Sequence, residues 1–265
     1  MRKAVIATAM LLMVLPAAAY SEDKAALDIM RKVDARDDGD NRTAKLTMVL
    51  VDRNGKTRTR TLQTFLKDQG PDTRNLMFFL GPSNVRNTGF LTHDYREPER
   101  DDDQWLYLPE LRKTKRIASS SKSQSFMGTD FSYADMTRRV LEEWNYRLLG
   151  EREVRGKPAW LVEATPASKT IEQRYGYEKS VLFVRKDIDM VVRAVHWVKD
   201  GGRLKYLDMV DLQRIDGVWT AIELDMRTVR NEKTEHRTVL RLEDVRYGQE
   251  LDEELFTLRR LEKGI

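Results

Sequence analysis

Residues 42–67 read RTAKLTMVLVDRNGKTRTRTLQTFLK, and this stretch carries a pattern that recurs through most of the chain. Apolar side chains occupy every second position from Ala44 to Leu50, which is the period of a β-strand with one buried face. The turn at 52–55 contains Asn-Gly, a strong hairpin signal because both central residues of a type I′ turn have positive φ. Residues 57–67 form the return strand. The stretch therefore predicts an antiparallel β-hairpin.

The same pattern of strands and short turns continues on both sides of a long central interval. Further strands are predicted at 74–80, 144–151, 159–165, 181–185, 190–199, 204–214, 218–230 and 235–247. One amphipathic helix, at 21–35, precedes them. About ten or eleven strands without strand–helix–strand alternation indicate an antiparallel meander rather than a Rossmann fold or TIM barrel. No Pro-, Gly- or Ser-rich linker divides the chain, so we expect a mostly β fold in one domain over residues 20–265.

The N-terminus has the features of a cleaved secretory signal. Two basic residues, Arg2 and Lys3, precede an apolar run at 4–15, and small residues at 17–19 suit a signal peptidase. The run is about 12 residues long, whereas a helix needs about 20 to span a bilayer. We therefore predict a signal peptide at 1–19 and a periplasmic protein of a Gram-negative bacterium without stable membrane insertion. With no cysteine at the cut, it carries no lipid anchor.

The interval 84–139 departs from the strand pattern. An acidic run at 97–103 is followed by a basic stretch, a serine-rich stretch and a segment rich in Phe, Met and Tyr. The last segment is half apolar, but its apolar residues do not alternate. We interpret 84–139 as loops and short helices that form a lid over the concave side of the sheet.

Composition and motifs exclude several functions. Hydrophobic residues make up 40% of the chain, enough for a core, and the net charge of +4 is dispersed, so nucleic acid is not an expected partner. The absence of cysteine excludes thiolate catalysis and Cys-ligated metals. The sequence has no G-x-S-x-G, HExxH or phosphate-loop motif, and Asp101–Asp103 lack the spacing of a calcium loop. We predict no catalytic residue, cofactor or metal, and therefore a binding protein rather than an enzyme.

Two blocks carry a family resemblance. Residues 104–117, QWLYLPELRKTKRI, and 126–136, FMGTDFSYADM, resemble the periplasmic outer membrane lipoprotein-sorting protein family, whose relatives are the LolA and LolB lipoprotein carriers. The resemblance implies an unclosed β-barrel of about eleven antiparallel strands with lidding helices. It also implies that the protein holds lipid or lipoprotein acyl chains in an apolar hollow between inner and outer membrane. Members look like companions of RND-type inner-membrane exporters. No single functional residue is transferred from the carriers.

Under this hypothesis two sets of side chains form the site. The ligand-binding set is Leu46, Met48, Leu50, Leu76 and Phe78 from the strands, with Trp105, Tyr107, Phe126, Met127, Phe131, Tyr133 and Met136 at the mouth and lid. The rim set, for headgroups or an acidic partner surface, is Arg112, Lys113, Lys115 and Arg116.

Alternatives remain open at this stage. Periodicity does not distinguish a hollow interior from an ordinary filled core. The basic rim set could equally be a solvated strand edge that discourages aggregation. The whole protein could also be an accessory subunit that docks on a membrane exporter and carries no lipid.

Overall fold

The computed structural model describes residues 23–98, 100–199 and 201–264, and within them thirteen strands form one antiparallel sheet. The strands are β1 (Asn41–Asp52), β2 (Thr57–Gln69), β3 (Asp72–Gly81), β4 (Gly89–Asp94), β5 (Asp103–Leu108), β6 (Lys113–Arg116), β7 (Trp144–Val154), β8 (Lys157–Pro166), β9 (Tyr177–Arg185), β10 (Met190–Val198), β11 (Arg203–Ile215), β12 (Val218–Arg230) and β13 (Lys233–Tyr247). The helices are α1 (Lys24–Asp34), α2 (Lys169–Tyr175) and α3 (Leu258–Lys263). The predicted fold class, an unclosed antiparallel sheet with an N-terminal helix, is confirmed.

The hairpin predicted from residues 42–67 forms as β1 and β2. Leu46 lies opposite Leu62, so the apolar side chains of both strands share one face. The Asp52 carboxylate accepts hydrogen bonds from the backbone N–H groups of Asn54 and Lys56, at 2.8 and 3.0 Å, and closes the turn. Local turn chemistry and the period of two are enough to specify this element.

The order of the strands in space explains how the sheet is covered. It runs β6-β5-β4-β3-β2-β1-β13-β12-β11-β10-β9-β8-β7, so two meanders meet at the pairing of β1 with β13. The strands β6 and β7 are consecutive in sequence but lie at opposite edges. The connection between them, residues 117–143, therefore has to cross the sheet, and we call it the cover segment. It lies on the inner face, which carries Leu46, Leu224 and Ala194.

The interval 84–139 contains three strands that the sequence pattern did not predict. They are β4, β5 and β6, and the remainder of the interval is mainly loop and part of the cover segment. Five of the six residues of β4 are buried, because the cover segment packs on one face and the C-terminal segment on the other. A strand that is covered on both faces has no polar alternation, so its sequence does not show the period of two. Together with the ten strands that the pattern places, these three make the thirteen strands of the sheet.

The C-terminal segment, residues 251–263, covers the outer face of β3, β4 and β5. Phe256 and Leu261 pack against Leu76, Phe78 and Leu91. Gly89 makes this close approach possible, because a Cβ atom there would lie 2.5 Å from Leu261 Cδ1.

The N-terminal helix begins slightly later than its sequence pattern suggested. Asp23 is the N-cap of α1, and its Oδ1 accepts from the backbone N–H groups of Ala25 and Ala26 at 3.0 and 3.3 Å. The predicted signal peptide, residues 1–19, lies outside the described residues. Among those that are described, no helix combines the length and apolar character needed to cross a bilayer.

Candidate functional site

The inner face holds a cavity of about 380 Å³ between α1, the cover segment and strands β9 to β12. Its strand wall is mainly apolar and contains Leu182, Val191, Ala194, Leu207, Met209, Leu224 and Met226, with Tyr146 and His196 as the polar members. Across from this wall, α1 contributes Met30 and Val33, and the cover segment contributes Phe131 and Leu141. The volume falls within the range of small-molecule sites, roughly 300–1,000 Å³. This first cavity is the candidate site.

A second cavity of about 250 Å³ adjoins the first, and the two share Asp38 and Leu224 in their linings. It lies over the centre of the sheet, where Leu46, Leu240 and Leu242 of β1 and β13 form its floor. Because the two cavities lie side by side on one face, a long apolar chain could occupy both. The interior of the sheet is therefore only partly filled.

The residues predicted on the inner face divide between cavity and packed core. Phe131 lines the first cavity and Leu46 the second. Met48, Leu50, Phe126 and Tyr133 are buried together in a packed cluster, against which Met127 and Met136 pack. Within it the Phe126 ring centroid lies 4.8 Å from that of Phe90 and 5.6 Å from that of Tyr133. The cover segment is thus anchored by aromatic packing at one end of the sheet and borders the cavity at the other.

Four of the predicted ligand-binding residues lie on the outer face. Leu76, Phe78, Trp105 and Tyr107 contact the C-terminal segment and do not share the hollow with Leu46. The placement corrects the prediction for these four. Its physical reason is that β3 carries apolar residues on both faces, at Leu76–Phe79, and both faces are covered. Period alone does not show which face turns toward the cavity.

The predicted basic rim lies on and beside β6, at the edge of the sheet. Arg112, Lys113, Lys115 and Arg116 are all exposed, and none lines either cavity. The Arg116 guanidinium pairs with Asp103, with Nε 2.9 Å from Oδ1. This position at an edge strand agrees with the alternative interpretation, a solvated charged edge that discourages aggregation.

The cavity wall includes residues that were absent from the predicted site. Leu182, Ala194, Leu207, Leu224 and Met226 come from strands β9 to β12, in the C-terminal half. They are cross-strand neighbours in register, since Ala194 lies opposite both Leu182 and Leu207, and Leu207 opposite Met226. The period of two marks them as inward-facing, but it carries no signal that space is left above them.

A buried carboxylate fastens the cover segment to the sheet. Asp130 accepts from the hydroxyls of Thr228 and Thr238, at 2.5 and 2.7 Å, and its Oδ2 lies 2.7 Å from His236 Nδ1. Its backbone N–H donates to Thr238 Oγ1 at 3.0 Å. Charge-assisted hydrogen bonds of this kind stabilise by about 1.5–3 kcal/mol each. Asp130 therefore holds the cover segment on β12 and β13.

Replacing Asp130 with alanine should loosen the cover segment. The loss of about 2 kcal/mol or more of hydrogen bonding should make backbone amides at 124–133 exchange with deuterium at least tenfold faster. Asp225→Ala, which removes the ion pair between Asp225 of β12 and Arg237 of β13, is the matched control and should leave that exchange unchanged. Equal protection in Asp130→Ala and the native protein would mean that aromatic packing alone retains the segment.

A buried ion network fastens the beginning of the cover segment. The Lys122 side chain is 1% exposed, and its Nζ lies 2.6 Å from Asp101 Oδ1 and 2.8 Å from the Asp102 carbonyl oxygen. Burial and the neighbouring Asp102 charge raise the pKa of Asp94 to about 7. Asp94 in turn accepts from the backbone N–H of Arg138 at 2.7 Å, near the end of the segment. Asp101 and Asp102 of the acidic run, which lacks the spacing of a calcium loop, thus balance the buried charge of Lys122.

Comparison with known proteins gives a consistent set of relatives. A family model described as "Uncharacterized protein" matches residues 71–263. The crystal structure of a DUF1329 family protein from Desulfovibrio piger is 32% identical, with a TM-score of 0.81, over 90% of this chain and 98% of that one. That of an outer membrane lipoprotein-sorting protein domain from Vibrio parahaemolyticus is 28% identical, with a TM-score of 0.81, over 90% and 99%.

A more distant solved structure shares the fold. The LolA superfamily protein from Nitrosomonas europaea is 18% identical, with a TM-score of 0.66, over 89% of this chain and 98% of that one. No curated protein matches the chain.

Proposed function

The chain belongs to the DUF1329 family and shares the fold of the LolA superfamily, and from this premise we propose that it is a periplasmic lipid carrier. It binds a lipid or the acyl chains of a lipoprotein on the inner face of its sheet and carries them through the aqueous space between inner and outer membrane. The similarity to the lipoprotein-sorting domain of Vibrio parahaemolyticus supports this assignment.

The partly empty inner face is the observation on which the proposal depends. An acyl chain of about 16 carbons has a transfer free energy on the order of 10 kcal/mol, at about 0.8 kcal/mol per buried methylene. The apolar wall from Leu182 to Met226 supplies a surface for such a chain. Its methionines, Met209 and Met226, are flexible and polarisable, which suits a cargo that must also be released.

The route of entry lies where α1 meets the end of the cover segment. Asp38, which follows α1, is exposed and borders both cavities. Arg138 of the cover segment pairs with it across the opening, with Nη2 3.1 Å from Oδ2. An exposed ion pair contributes little stability, so it can open without a large cost. An RND-type exporter remains our expectation for the partner that delivers or receives the cargo.

Native mass spectrometry tests the proposal directly. Protein purified from its own periplasm and membranes without detergent should carry an adduct of lipid mass, which organic extraction removes. The extracted protein should then take up a fluorescent fatty acid. Absence of both the adduct and the uptake would contradict carriage. Tight association with a membrane exporter in that case would favour the accessory-subunit alternative.

A further inference from the structure

We propose that the cargo has an anionic headgroup, a carboxylate or phosphate, which Arg139 binds in the wall of the first cavity. The inference rests on the proposed carrier function and specifies the chemical class of its ligand. Arg139 belongs to the cover segment and lines the cavity together with Ala134, Leu182 and His196.

Arg139 differs from its neighbour in lacking an ionic partner. Arg138 pairs with Asp38 and Asp68, whose oxygens lie 3.1 and 3.6 Å from its Nη2. In the part of the chain that the structure describes, no carboxylate lies within ion-pair distance of the Arg139 guanidinium. Its polar contacts are long, since Nη1 lies 3.4 Å from Ser180 Oγ and Nη2 3.4 Å from His196 Nδ1. Most of its five N–H donors therefore remain available.

Aromatic rings hold the Arg139 guanidinium in place. It lies 4.5 Å from the Trp144 ring centroid, and the centroids of Tyr175 and Tyr177 are at 5.8 and 5.9 Å. Trp144 is itself buried, so the position of the charge does not depend on a mobile surface side chain. A guanidinium held in this way is ready to form two parallel hydrogen bonds to a carboxylate or phosphate.

The carboxylates that line the cavity have partners other than Arg139. Asp34 pairs with Arg96, and Asp38 pairs with Arg138. Asp135 accepts from Tyr177 Oη at 2.8 Å and from the Ser132 backbone N–H, also at 2.8 Å, and Lys205 Nζ lies 3.5 Å from the same Tyr177 oxygen. Burial and the positive charge of Arg139 lower the pKa of His196 to about 3, so this histidine is neutral. Among the described residues, Arg139 is thus a cation of the lining with no carboxylate at ion-pair distance, beside an apolar wall, and an anionic amphiphile complements this arrangement.

The test compares ligands that share a chain and differ in the headgroup. Hexadecanoate, hexadecyl phosphate and the neutral hexadecanol compete for a fluorescent lipid probe on the delipidated full-length protein. We expect at least one of the two anions to bind at least tenfold more tightly than the alcohol. The anion that shows the greater preference distinguishes a carboxylate from a phosphate headgroup.

Substitutions assign the preference to one side chain. Arg139→Met should remove the preference for the anions while leaving the affinity for hexadecanol within about twofold, and Arg139→Lys should retain part of it. Arg227→Met is the matched control. Arg227 also lies over a tyrosine, 5.2 Å from the Tyr206 centroid, but it is exposed and borders neither cavity, so the preference should persist.

The outcomes separate the two proposals. Equal affinity for the anions and the alcohol in the native protein would overturn the headgroup inference and leave lipid carriage intact. A preference for the anions that persists in folded Arg139→Met would also overturn the headgroup inference and leave lipid carriage intact. Failure of all three ligands to bind would overturn both. If Arg139→Met does not fold, the headgroup inference stands or falls on Arg139→Lys and on the preference of the native protein.

Discussion

Replacing Ala194 with phenylalanine should weaken lipid binding about 100-fold while the protein remains folded. Ala194 is 1% exposed and lies on β10 in the apolar wall of the first cavity, opposite Leu182 and Leu207. A phenyl ring there would displace about four methylenes of the cargo, each worth about 0.8 kcal/mol, which amounts to about two orders of magnitude in affinity. The cavity beside Ala194 gives the added ring room, so the overpacking penalty should be smaller than in a filled core. Titration with a fluorescent lipid probe measures the affinity, and thermal melting tests whether the variant remains folded.

The neighbouring position provides the control for Ala194→Phe. Val195 lies on the outer face of the same strand, opposite Tyr206, and borders neither cavity. Val195→Phe adds a ring of similar size without reducing the cavity, so it should bind lipid as the native protein does. Native affinity in a folded Ala194→Phe variant would show that the cargo does not occupy the first cavity.

Replacing Lys122 with methionine should reduce the free energy of unfolding by about 3–5 kcal/mol, the cost of leaving a buried charge without its partner. Lys122 is the cation nearest to Asp101 and Asp102, and its side chain is 1% exposed. Methionine preserves the length of the side chain, so the loss is electrostatic rather than a cavity. Urea denaturation at pH 8 measures it, and Lys113→Met on the exposed edge strand β6 should change stability by less than about 0.5 kcal/mol.

The pH dependence of the Lys122→Met defect follows from its cause. Burial raises the pKa of Asp102 and of Asp94, and protonation of these two carboxyls removes negative charge that Lys122 balances, so the defect should shrink as the pH is lowered from 8 toward 4. In the native protein, the folded-state pKa of Asp94, about 7, lies above the unfolded value of 3.8. Its contribution to stability is therefore full below about pH 4 and is lost as the pH rises through 7. A Lys122→Met defect of equal size at pH 4 and pH 8 would contradict an electrostatic origin.

Local sequence patterns are reliable where one face of a strand meets water. The β1–β2 hairpin was predicted at 42–67 and extends over 41–69, because alternation, the Asn-Gly turn and the Asp52 side chain all act within a few residues. The pattern fails at β4, where Phe90 meets the cover segment and Leu91 the C-terminal segment. Burial on both faces removes the polar positions that would reveal the period.

The two family blocks, 104–117 and 126–136, pointed to the correct fold but to only part of the candidate site. Phe131 borders the cavity, whereas Trp105 lies on the outer face and Phe126 within the packed cluster. Arg139, three residues beyond the second block, had no distinguishing feature in the sequence. Arg139 becomes a candidate headgroup ligand only through its contacts with Trp144 and His196, which come from different strands.

The amino-acid pattern is enough to predict the strands with one solvent-exposed face, their turns and the antiparallel class, because these depend on contacts between near neighbours in the chain. The position of the hollow in the sheet depends instead on long-range packing. Leu46, Met48, Leu224 and Met226 all alternate inward, yet aromatic side chains of the cover segment fill the space above Met48, whereas the cavity lies above Leu224 and Met226. What lies opposite a strand depends on how residues 117–143 cross from β6 to β7. The alternation of residues within the strand is the same whichever path they take.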